Sequence, residues 1–194
     1  MPNYSKIELK ITVKRRYILK KTTSLAFAGV MAGLSFVLLY LGSVIWIFAY
    51  LTPQLCGLIM MMLNKTFSRK YALCVFFSVS ILSLLFLPDK ETGLVYLFFF
   101  GYYPLIKEKL DSFKPKALSL AVKVLIFNAG ILTSQLILVY IFGIPFDNDL
   151  GKWGFPLFII LFNVLFLIYE KLYNVILSIY ETKLEKRIKS IINS

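Results

Sequence analysis

Histidine is absent from the 194 residues, and cysteine occurs only twice, as Cys56 and Cys74, each inside an apolar stretch. Without histidine there is no His-based triad and no imidazole ligand for a transition metal, and two embedded cysteines make no disulfide framework. Acidic residues are scarce too: 10 Asp and Glu stand against 22 Lys and Arg, a formal balance of +12. The chain contains no Gly-x-x-x-x-Gly-Lys-Ser/Thr phosphate loop, so it carries no P-loop ATPase of its own. Acidic pairs suited to acid and base chemistry or to metal binding do not occur within the apolar segments, and no filter sequence or ring-forming charge suggests a channel. The expectation is a protein that is not an enzyme and holds no metal or cofactor.

Apolar residues are abundant. They make up 59% of the chain, 16% of it is aromatic, and the mean hydropathy is +0.77, well above the roughly 45–50% apolar content of soluble domains. This composition reads as an integral membrane protein. The basic residues cluster at the ends of apolar runs, which points to a membrane surface and not to nucleic acid.

A hydrocarbon core of about 30 Å takes roughly 20 helical residues to cross. Six segments meet or approach that length, approximately 23–42, 44–63, 70–87, 91–107, 117–142 and 153–171. The expected fold class is therefore all-α, an integral membrane bundle of about six transmembrane helices. The first two should form a tight hairpin, and the fourth is short, since Tyr102, Tyr103 and Pro104 interrupt it while Glu91 and Lys107 bracket it. A basic segment, 1–22, precedes the first span. That span is too long for the apolar part of a cleavable signal, so it is expected to stay in the mature protein.

Charge counts orient the bundle. Seven basic residues lie between Lys6 and Lys21, three between Lys65 and Lys70, four between Lys107 and Lys116, and four between Lys183 and Lys189. The alternate connections have almost none: 42–45 is uncharged, Lys90 sits between Asp89 and Glu91, and Lys152 follows Asp147 and Asp149. Under the positive-inside rule both termini are cytoplasmic. Beyond the sixth span, Leu172, Val175, Ile176, Ile179, Tyr180, Leu184, Ile188 and Ile191 keep helical spacing, so 172–194 is read as an amphipathic cytoplasmic helix. The domains are thus a basic N-terminal segment, a six-helix membrane domain over 23–171, and this tail. Lysine and isoleucine enrichment fits a multi-pass protein of a bacterial plasma membrane.

The first span is unusual in its first half. At 100° per residue, Ser24, Ala28 and Ala32 fall on one line and Gly29 and Gly33 on its neighbour. Lipid tails do not drive helices together, and small residues permit close approach, so another helix is expected there. It comes either from the chain itself or from a partner protein.

A basic N-terminus, Ala28-x-x-x-Ala32 in the first helix, about six helices in under 200 residues and two cytoplasmic ends resemble the S-components of energy-coupling factor (ECF) transporters. These are substrate-binding membrane subunits of vitamin and trace-nutrient importers. The resemblance implies that Ala28 and Ala32, widened by Gly29 and Gly33, dock on the membrane T-component that is joined to two cytoplasmic ATPases. It also implies that a small-molecule nutrient is held on the extracellular side. The stretches Leu87-Pro88-Asp89-Lys90-Glu91 and Gly101-Tyr102-Tyr103-Pro104 are similar to those of membrane proteins from Gram-positive bacteria.

Polar groups within a bilayer must face protein or water. Gln54, Tyr96, Asn128, Gln135 and Asn163, with Trp46 at the interface, are the candidate ligand-binding residues for an uncharged or zwitterionic molecule. The same residues serve equally well as interhelical hydrogen-bonding groups, and Trp46 as a belt aromatic. Lys123 is expected to snorkel to the surface, Glu170 and Lys171 to mark the membrane exit, and Asp89 and Glu91 to be solvated loop acids.

Overall fold

The computed structural model describes the backbone of residues 3–144 and 153–184, with side chains for 22–45, 47–144 and 153–183. Within these residues the chain is helical and has no strand. The helices are α1 (Asn3–Val44), α2 (Leu51–Thr66), α3 (Arg69–Phe86), α4 (Lys90–Val95), α5 (Tyr103–Asp111), α6 (Lys116–Tyr140) and α7 (Gly154–Ile179). A 3₁₀ turn, Trp46–Phe48, joins α1 to α2, and π-helical stretches run over Tyr96–Phe100 and Tyr180–Leu184.

Among the described residues four stretches are long and apolar enough to cross a membrane: Thr22–Val44, Arg69–Phe86, Lys116–Tyr140 and Gly154–Lys183. The second and fourth apolar segments of the sequence form shorter pieces. The expected start of the second, residue 44, is instead the last residue of α1, and α2 begins at Leu51. Pro53 accounts for this, because a residue without an N–H is accommodated in the first turn of a helix, where that donor has no partner anyway. The hairpin is nonetheless close: a Cβ at Gly42 would run into the Thr52 side chain.

The fourth segment breaks into α4, the π stretch and α5, and continues past the expected end at 107 to Asp111. Widening is visible in the Gly101 N–H, which reaches the Tyr96 carbonyl at 2.8 Å, five residues back. Pro104 has no N–H to offer the preceding turn, so the helix restarts around it with the proline in its first turn. Irregular backbone of this kind is tolerated at membrane depth only inside protein. The segment is accordingly central: α1 and α3 flank one side, α6 and α7 the other, and α2 with residues 90–111 fills the space between.

Two apolar cores follow from that layering. Ala28, Leu39, Cys56, Met60, Val79 and Tyr96 join α1, α2 and α3 to the π stretch. Phe99, Tyr103, Phe127, Phe166 and Tyr169 join the broken segment to α6 and α7. In the second core Phe127 stacks on Phe166 at 4.7 Å and 16°, and Phe99 on Tyr103 at 4.7 Å and 27°; contacts of this kind contribute about 0.5–1.5 kcal/mol each beyond burial. Close approach is made possible by Gly130, where a Cβ would stand 2.6 Å from the Phe98 carbonyl oxygen. Large apolar side chains meanwhile cover the outside, among them Val30 and Val37 on α1, Phe77 and Leu85 on α3, Leu125 and Leu136 on α6, and Ile160 and Ile168 on α7. Soluble monomers rarely expose more than a few hundred Å² of contiguous apolar surface, and a coat of this extent suits lipid.

From Tyr169 on, α7 and the π-helical stretch after it turn an aromatic side inward. Tyr169, Tyr173 and Tyr180 are buried, whereas Leu172, Val175 and Ile179 from the expected amphipathic line are exposed and Ile176 is half-buried. The cause is that α7 does not leave the bundle: Tyr180 bonds to Thr66 and Glu181 pairs with Lys65 at 3.1 Å, both at the end of α2. The Leu184 side chain, Ile188 and Ile191 lie outside the described residues.

Candidate functional site

The most concentrated chemistry lies at the basic end of the bundle, inside it. Tyr103, Lys107 and Asp111 are spaced by four on α5 and share a face. Glu170 of α7 accepts hydrogen bonds from the Tyr103 hydroxyl at 2.5 Å, from Lys123 of α6 at 2.6 Å and from Lys107. Asp111 pairs with Lys107 at 3.2 Å and with Lys123. The side chains of Lys107, Lys123 and Glu170 are 2%, 6% and 10% exposed, while Asp111 at 47% connects the group to solvent. Lys107 also lies 5.0 Å from the centre of the Tyr173 ring. Two cations and two anions balance, as burial requires.

Beside this network Lys65 bridges Glu108 at 2.8 Å and Glu181 at 3.1 Å. Lys123 therefore does not snorkel to the surface: an inward acid at hydrogen-bonding distance is a better partner than distant water. Glu170 likewise is no exposed marker of the membrane exit, although Lys171 beside it is exposed.

At the opposite end the acids are used structurally. Asp89 caps α4, accepting from the N–H groups of Glu91 and Thr92 at 3.0 and 3.1 Å, so it is not merely a solvated loop acid. Glu91 accepts from Gln135 Nε2 at 2.7 Å, and the Tyr50 side chain stands near its carboxylate, which brings the α1–α2 connection, α4 and α6 together. The Tyr50 ring packs edge-on against Phe162 at 4.8 Å. Lys90 turns away, donating to the Leu84 and Leu87 carbonyls at the end of α3.

The other candidate ligand residues do not converge on this trio. Asn128 and Asn163 face each other, each amide nitrogen 2.9 Å from the other's oxygen, with second bonds to the Val124 and Ile159 carbonyls. Tyr96 is fully buried beside Phe76, and its hydroxyl has no hydrogen-bond partner among the described residues. Gln54 is half-buried on α2, and the Trp46 side chain lies outside the described residues. Gln135 alone of the set joins the Glu91 trio.

The small-residue face of α1 divides. Ala28 is 5% exposed and part of the chain's own core, with Ala32 half-buried against it. Gly29 and Gly33 are exposed, and a Cβ on either would meet nothing within 4 Å. Among the described residues no three acidic, cysteine or histidine side chains gather as a metal site. Cys56 is buried, donating to the Ser35 carbonyl at 3.4 Å, and Cys74 is exposed.

No protein-family model, curated protein or solved structure matches the chain.

Proposed function

We propose that the protein is a substrate-binding membrane subunit of an ATP-driven nutrient importer, similar in plan to the ECF S-components. In this reading it crosses the bilayer six times with both termini cytoplasmic. The four long helices meet lipid, while α2 and the broken segment 90–111 cross inside them. The observation that carries the proposal is the open stripe at Gly29 and Gly33, in the half of the α1 span next to the basic segment. A coupling helix from a T-type subunit can approach closely there, whereas the neighbouring Ala28 line serves the chain's own packing. ATP hydrolysis must come from the partner. The ligand end is the opposite one, where Tyr50, Glu91 and Gln135 bring three elements together.

The test uses the tagged protein in gentle detergent from its native membrane, wild type beside Gly29→Trp/Gly33→Trp. Since both positions are open, the variant keeps its fold. A T-type subunit and an ATPase that accompany the wild type and are lost from the variant support the proposal. Identical companions in both samples, or none, contradict it.

A second reading is an accessory subunit that assembles a membrane complex and binds no small molecule. It is favoured by the mutual satisfaction of Asn128 with Asn163 and of Gln135 with Glu91.

A further inference from the structure

The acids and bases of the basic end are unequally engaged. Glu108, Asp111, Glu170 and Glu181, all the acids described there, are each paired with Lys65, Lys107 or Lys123. Arg69, Lys70, Lys109, Lys114, Lys116 and Lys171 are exposed and have no acidic partner among the described residues. The three lysines that take up the acids thus leave an outward surface of one sign.

These six residues occupy the α2–α3 and α5–α6 connections and the flank of α7. The Lys65 bridge to Glu108 and Glu181 holds those elements together at one end. Arg69, Lys70 and Lys116 stand in the first turns of α3 and α6, which contain no acid. Cations there oppose the positive end of the helix dipole, and a nearby anion relieves that opposition. The residues also adjoin apolar spans whose outer surfaces suit lipid, so the anions within reach are at headgroup depth.

We infer that this end binds the phosphate-bearing headgroups of anionic phospholipids as an annular layer. Arg69 and Lys70 form one cluster, Lys109, Lys114 and Lys116 a second, and Lys171 snorkels to the same level. The inference rests on membrane embedding and is independent of the docking surface on α1, so either can fail while the other stands.

Native mass spectrometry of the full chain in detergent tests it, titrating phosphatidylglycerol against phosphatidylcholine with the same acyl chains and adding glycerol phosphate as a competitor. The wild type should retain phosphatidylglycerol preferentially and lose the preference as salt rises. Changing all six residues to Gln should weaken retention, by up to roughly fivefold for each charge near the surface. Equal retention of the two lipids, a preference insensitive to salt, or a preference undiminished in the six-residue variant overturns the inference. Full displacement by glycerol phosphate at concentrations equal to the lipid's also overturns it, because the site would then take soluble phosphate and not the lipid.

Discussion

Glu170 holds two buried ammonium groups and a tyrosine hydroxyl. Replacing it by Gln leaves Lys107 and Lys123 to share Asp111 alone, and stripping one partner from a buried ion network costs on the order of 3–5 kcal/mol. We expect a large fall in the thermal midpoint of Glu170→Gln in detergent, and an unchanged midpoint would refute the role assigned to the network. Asn128 and Asn163 should couple: a double-mutant cycle to Leu should give about 0.6 kcal/mol, and at most roughly 1.7, whereas additive single effects would mean that their contact contributes nothing. Such pairings were only partly legible in the sequence. Lys123 and Glu170 stand out as charges of opposite sign within or beside apolar runs, and Tyr103, Lys107 and Asp111 share a spacing of four. What sequence spacing does not give is which helices touch, and so Lys123 reads as a snorkelling lysine until α7 is seen beside it.

Among the elements, the long uninterrupted helices follow from composition alone, because about 20 apolar residues leave few other solutions in a bilayer. The broken segment is different. Gly101, Tyr102 and Pro104 signal an interruption, yet the return of helix through Asp111 depends on neighbours that shield the irregular backbone. The same dependence on neighbours separates Ala28 from Gly29: both are small, and only packing decides that one faces inward. Gly130→Ala should therefore cost about 1–3 kcal/mol, since the methyl group meets the Phe98 carbonyl. Gly29→Ala meets nothing and gains the helix propensity of alanine, about 0.8–1 kcal/mol at most. Thermal unfolding of the two variants side by side should move in opposite directions. A loss of equal size in both would mean that the two sides of α1 and α6 are not distinguished as described.

For the whole molecule, a basic end with its acids internally paired and an opposite end where Asp89 and Glu91 serve as cap and hydrogen-bond acceptor give the bundle a fixed polarity. The central segment 90–111 connects the two, with Glu91 at one end and Lys107 and Asp111 at the other. A six-crossing arrangement requires this segment to traverse the bilayer despite its break. Single-cysteine labelling tests that most directly. In a background carrying Cys56→Ala and Cys74→Ser, cysteine is placed at Pro88 or at Ser112, and intact cells are exposed to a membrane-impermeant maleimide before or after permeabilisation. Pro88→Cys should react in intact cells and Ser112→Cys only after permeabilisation. Labelling of both from the same side would make 90–111 a re-entrant segment and contradict the six-crossing arrangement.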